Sequence, residues 1–255
     1  MRKFWALLKY QIRVLFISPS TYAAALLFVC LMGGIYILSL WDVSATEGGK
    51  TPIELFLSLF WLPVLFMVPM LTMRSLAEER RMGTLQAMMT APVSSFEIVL
   101  SKFLACYLLY VFFWALTLFF PIITVMSLPQ AVADGRIFSV SKIATGYSFI
   151  FVSGAAYVAI GIFASSLTRS TLVAGMLSFC ILFIAIVGSA LAVNISPSDT
   201  AWSVWAESFA DYAQSFKHLE DFSNSLLDTR PFFLYLSAAA AFIGATSLIT
   251  EYRSS

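Results

Sequence analysis

Charge is what this sequence has least of. Of 255 residues, 15 are Lys or Arg, 14 are Asp or Glu and one is His. At 11% charged residues it falls far below the roughly 25% of a soluble globular domain. A net formal charge of +1 provides no basic surface for a nucleic acid. Cysteine is nearly absent as well. Cys30, Cys106 and Cys180 each fall inside an apolar run, with no CxxC pair and no Cys/His grouping to suggest metal or redox chemistry. The single histidine, His218, stands on an acidic stretch without the companions a metal ion needs. No nucleophile elbow, HExxH pair or kinase signature occurs. The fragment "SATEGGKT", residues 44–51, ends like a phosphate-binding loop. It has Ser44 where the first glycine belongs, and no buried strand precedes it. A secretory signal peptide is also missing, because the basic residues are spread through residues 1–16 and Ser18, Pro19 and Ser20 interrupt before the first apolar run.

What remains is apolar: 60% of the residues are hydrophobic and the mean hydropathy is +0.88. A span takes about 20 apolar residues. Six runs qualify, at 21–41, 53–73, 99–126, 143–165, 171–194 and 232–250, so the expectation is an all-α integral membrane protein with six transmembrane helices. Pro63, Pro69 and Pro121 are kinks that a membrane helix tolerates. With the N-terminus placed in the cytoplasm, the inner side receives ten cations, among them Arg2, Lys9, Arg13, Arg74, Arg80, Arg81 and Lys102, against five outside. This is the positive-inside pattern, and an even number of spans brings both termini to the cytoplasm. No ionisable side chain falls near the middle of a span. That argues against a proton- or sodium-coupled carrier, which needs such groups. It argues equally against an intramembrane hydrolase, since nothing there could activate a Ser or Thr.

Three segments outside the spans carry pattern. Residues 1–17 form an amphipathic helix: at about 100° per residue Arg2, Lys9 and Arg13 share one face, and Phe4, Trp5, Leu8, Ile12, Leu15 and Phe16 another. Such a helix lies in the membrane interface, as an anchor or as an elbow that also touches a partner. Residues 195–230 repeat aromatic or leucine side chains every three or four positions, including Trp202, Trp205, Phe209, Tyr212 and Phe216, with acids between them. This stretch is too polar to span and would lie on the outer leaflet or cap the bundle. The third segment is "AEERRMGTLQAMMTAPVSSFEIVLSK", residues 77–102. The second span is expected to continue through Arg74 to Arg81 and end at Gly83, a C-cap. Thr84 caps a short helix over 85–89 that Pro92 stops. Ser94 and Glu97 then form a capping box before the third span. A short helix bearing Leu85, Met88 and Met89 either docks onto a partner or folds back on its own bundle.

This central segment closely resembles the ABC-2 type permease family, in particular the branch with the gliding-motility permease and the permease of nitrous oxide reductase maturation. The shared features here are Glu78, Glu79, Arg80 and Arg81, then Gly83, Thr84 and Leu85, then Thr90, Pro92, Val93 and Ser94, and Lys102 at the head of the third span. Ser18 and Pro19 before Tyr22 resemble the family's entry to span one, and Pro69 before Met73 and Arg74 the end of span two. Gln86 departs from the glutamate usual after Gly-Thr-Leu. The resemblance implies one permease domain over residues 1–255 with an ABC-2 (type V exporter-like) fold: elbow helix 1–17, cytosolic coupling region 74–98 and external segment 195–230. It implies a bacterial inner-membrane location and pairing with a second permease copy or homologue. It also implies two cytosolic ATPase subunits that carry the ATP and Mg, this chain having no cofactor, metal or catalytic residue of its own. In that family the helix between spans two and three is the coupling helix. The ATPase-docking residues are then Glu78, Glu79, Arg80, Arg81, Gly83, Thr84, Leu85, Met88, Met89 and Pro92, and the external gate candidates Trp202, Trp205, Phe209, Tyr212 and Phe216. Lipids contact the spans, and any periplasmic partner is a separate protein. The expected function is to couple ATP hydrolysis in the partner to export or mechanical signalling; the alternative is a stand-alone channel or secondary carrier.

Overall fold

The computed structural model describes residues 2–45, 52–84, 94–127, 140–188 and 229–252, and these are almost wholly helical, with no strand among them. In order they form α1 (Arg2–Ile17), α2 (Pro19–Ala45), α3 (Pro52–Ser58), α4 (Trp61–Thr72), α5 (Ala77–Met82), α6 (Ser95–Thr117), α7 (Phe119–Ser127), α8 (Val140–Leu167), α9 (Thr171–Phe183) and α10 (Arg230–Tyr252). A π-helical turn, Ile184–Gly188, extends α9. Five stretches are long and apolar enough to cross a membrane. A sixth is made by α3 together with the following arm, if their 43° bend lies within one span.

The breaks follow the prolines. Pro63 has no N–H for the carbonyl of Leu59, and the second span parts at Leu59 and Phe60. Pro121 has none for Thr117, and α6 gives way to α7 at Leu118. Pro69 stays inside α4. Span two is therefore built in two pieces, whereas span three runs on through the one-residue turn at Leu118 as a single stretch, Ser95–Met126, with Pro121 a tolerated kink.

Side-chain contacts show which way each helix runs. Arg74 reaches Ser18 at one end of the bundle, and Tyr36 meets Thr124 at the other. Tyr107 and Tyr110 on α6 donate to the carbonyls of Phe151 and Ile150, while Thr117 pairs with Tyr147, so α6 and α8 are antiparallel. Gly146 faces Leu57 and Gly161 faces Thr72, which makes α8 parallel to α3 and α4. Phe179 packs on Phe66 and Gly175 lies by Met73, so α9 opposes α4. Tyr235 meets Phe149 and Tyr157, and Phe242 meets Phe163, so α10 is parallel to α8. Successive spans alternate. The start of α2, the α4–α5 turn, the start of α6 and the ends of α8 and α10 share one end of the bundle.

Helix α8 is the hub: 78% of its apolar 18-residue stretch is buried, against 17% of that in α10. Small residues allow this. A Cβ added at Gly154 would enter the Tyr110 ring, one at Gly146 would strike Leu57, and one at Gly161 would strike Thr72. Close approach through glycine is how membrane helices gain contact when water offers no driving force between them. An aromatic core fills the space beside it, with Phe28 edge-on to Trp114 at 5.2 Å and Tyr36 stacked on Phe120 at 5.5 Å. Leu26, Trp41, Met176, Ile184, Phe233 and Leu248 on α2, α9 and α10 face outward.

Helix α1 lies against α6. Its inward line is Leu8 and Gln11, both buried, with Phe4 and Leu15 half-buried, whereas Trp5, Val14, Phe16 and Ile17 are exposed. The apolar face expected from the sequence thus divides into a protein side and an outer side, with a glutamine inside the protein contact.

Candidate functional site

The charged segment after span two does not simply extend α4. The helix stops at Thr72, residues 73–76 form a turn, and α5 begins at Ala77. No glycine or proline causes this break. Ser165 of α8 does. Its hydroxyl accepts from the N–H groups of Leu76 (3.1 Å) and Ala77 (3.0 Å) and donates to the carbonyl of Met73 (3.2 Å). One donor and two acceptor sites are all that a serine hydroxyl has. It serves as the missing cap of α5, from another helix. The far end of α5 is as the sequence indicates: Gly83 is left-handed at φ 71° and closes the helix. Thr84 turns its hydroxyl back to the carbonyl of Glu79 (3.3 Å). The capping box is present too, with Ser94 Oγ accepting from the Glu97 N–H and Glu97 accepting from the Ser94 N–H, each at 3.2 Å.

Three of the four charged side chains on α5 are bound within the chain. Glu78 accepts two bonds from Arg74, at 2.6 Å from Nε and 2.7 Å from Nη2, and Arg74 Nη1 donates to Ser18 Oγ at 2.9 Å. These bonds hold the Glu78 carboxyl below its ordinary range and raise the Arg74 guanidinium further, against a smaller opposing effect of burial. Glu79 pairs with Lys102 Nζ at 2.5 Å, and the same ammonium donates to the Ser75 carbonyl at 2.8 Å. Lys102 stands in the second turn of α6 and is only 2% exposed. Arg80 donates to the carbonyl of Ser166 at the end of α8. Arg81 is exposed, as are Met82, Gly83 and Thr84.

Helix α5 is thereby tied at three points: to the α1–α2 junction through Arg74 and Ser18, to α6 through Lys102, and to α8 through Ser165 and Ser166. Of the residues singled out in the sequence, Glu78, Glu79, Arg80, Arg81, Gly83 and Thr84 lie together here. Leu85, Met88, Met89 and Pro92 lie outside the described residues, as do Trp202, Trp205, Phe209, Tyr212 and Phe216. Ser165 and Ser166 were not evident beforehand. Their only trace is a pair of hydroxyls closing an apolar run, in "IFASSL". Ser18 and Arg74 were legible as entry and exit residues but not as partners. At the opposite end of the bundle Lys142 of α8 pairs with Glu54 of α3.

The arrangement ties a short charged helix to three neighbouring elements. Among the described residues no group of His, Cys, Asp or Glu could hold a metal ion. The chain matches the profile of a family described as "ABC-2 family transporter protein" over residues 45–216, about two-thirds of its length. No curated protein matches it.

Proposed function

From the premise that this chain belongs to the ABC-2 family of transporter proteins, we propose that it receives mechanical work from a separate ATPase at residues 77–92 and passes it into its spans. It is the multi-pass membrane subunit of an ABC transporter, a component that works with ABC ATPases and is not itself the catalyst. In this reading it sits in a bacterial inner membrane with both termini and residues 74–98 in the cytosol. Two ATPase copies supply ATP and Mg, and a second permease copy or homologue completes a dimer. The likeness of its central motif to the gliding-motility and nitrous-oxide-reductase permeases supports export or mechanical signalling as the output. The aromatic residues Trp202, Trp205, Phe209, Tyr212 and Phe216 would then form an external gate, within reach of any periplasmic partner.

The observation that carries the proposal is the three-point tether of α5. A push on a slack loop would be absorbed by the loop. A push on the end of α5 is delivered to the α1–α2 junction, to α6 and to α8 together, because Arg74, Glu79, Arg80 and Ser165 join them. Closure of the ATPase pair on ATP would move Leu85, Met88 and Met89, and the spans would shift between two packed states. Methionines suit a contact that must adapt during such a cycle.

The test is co-purification of the permease with its ATPase. Replacing Met88 and Met89 together by Asp should strip most of the ATPase from the complex and abolish stimulated ATP turnover. Full recovery of the ATPase with unchanged turnover would overturn the docking assignment.

A further inference from the structure

A cavity of about 650 Å³ lies between α1, the α4–α5 turn and the first turns of α6. It is of the size that binds small molecules, roughly 300–1,000 Å³. Its inner wall is apolar, with Leu15, Leu71, Ala105 and Cys106. Into it faces Gln11, only 6% exposed, whose Nε2 has no hydrogen-bond partner. A buried amide donor left unpaired is destabilising, and native proteins rarely carry one. The Ser75 hydroxyl, which also lines the cavity, has no partner either.

The surroundings narrow the class of occupant. Arg74, Lys102, Glu78 and Glu79 all reach the wall, but they are already paired with one another and their charges cancel. Nothing there calls for a net anion or cation. What the cavity lacks is an acceptor oxygen for Gln11 carried on an apolar body, together with a hydrogen-bond donor for Glu79 Oε2, which is buried without a partner. Tyr10, Val14 and Ile17, which also line it, are exposed on the outer side of α1, the side an interfacial helix turns to the bilayer. We propose that this cavity is a binding site for a membrane phospholipid, with an ester carbonyl accepting from Gln11 Nε2 and an acyl chain against Leu15, Leu71 and Ala105. The lipid would touch Ser75 and Lys102 directly, and so brace the same turn that α5 hangs from.

The test is photo-crosslinking of the full-length chain in vesicles of phosphatidylethanolamine and phosphatidylglycerol, with a trace of phosphatidylethanolamine bearing a diazirine on its acyl chain. Crosslinked peptides are mapped by mass spectrometry. Leu71 and Ala105 are the informative positions, being 2% and 0% exposed and thus out of reach of bulk lipid. Label is expected there in the wild type. It should fall several-fold in Gln11→Leu, which removes the donor, and in Val14→Trp, which fills the mouth, while label at the outward-facing Leu172 and Met176 stays constant. Absence of label at Leu71 and Ala105 in the wild type would overturn the proposal, as would label that persists undiminished in both variants.

Discussion

Lys102 has its ammonium almost wholly withdrawn from solvent, between the Ser75 carbonyl and the Glu79 carboxylate. Two charges removed from water are tolerable only as a pair, and losing one partner of a buried pair costs about 3–5 kcal/mol. Lys102→Met and Glu79→Leu should therefore each lower the melting temperature of the purified protein sharply. The double variant should regain most of the loss, because the two apolar side chains no longer strand a charge. Equal losses that simply add would refute the pairing. The Arg74–Glu78 pair is more exposed and behaves differently. The Glu78 carboxyl is depressed by its bonds to Arg74, so its contribution is complete above the ordinary glutamate range. It is lost as pH falls through the lowered folded value. A melting-temperature profile should be flat from neutral pH down to that range and then decline, and Glu78→Gln should flatten the acid limb by removing the titration. A profile unchanged by that substitution would show that the pair does not contribute.

At the level of elements, the unplanned feature is the break between α4 and α5. The Gly83 cap correctly gave the end of α5, because a cap is local to the chain. The start of α5 was illegible: it is set by Ser165, 88 residues from Ala77, and a hydroxyl at the end of an apolar run carries no sign of its partner. The proline breaks were legible in place but not in effect, since a missing N–H fixes where a helix can part and neighbours decide whether it does. Pro69 shows the other outcome. Ser165→Ala would orphan two N–H groups and weaken the tether, each unpaired group costing about 1–3 kcal/mol. The expected result is a lower melting temperature and loss of ATPase stimulation greater than the loss of ATPase binding; intact stimulation would remove Ser165 from the tether. Helix packing gives a second contrast. Gly154→Ala drives a methyl into the Tyr110 ring and should cost about 1–3 kcal/mol as overpacking. Gly244→Ala, with open space around it, should cost nothing. Comparable melting temperatures for the two would mean that α8 and α6 are not in close contact.

For the whole molecule, hydropathy alone predicts six crossings, and the side-chain contacts show an alternating bundle whose buried hub is α8. Which run becomes the hub was hidden, since hydropathy is similar for runs facing lipid and runs facing protein; the glycines at 146, 154 and 161 were the readable trace. Alternation puts the start of α2, the α5 tether and the end of α10 on one side of the membrane. Ten of the fifteen cations belong to that side in the six-span reading, and the proposed orientation therefore puts it in the cytosol. The assignment is testable with single cysteines and a membrane-impermeant maleimide, the native Cys30, Cys106 and Cys180 all lying within apolar spans. Cysteine at Thr84 or at Tyr252 should react only after cells are broken open, whereas cysteine at Gly48, between spans one and two, should react on intact cells. Labelling of Thr84 in intact cells would place the tether outside, where no ATP-driven subunit could press on it. The fold would stand in that case, but the route by which energy enters the protein would have to be a different one.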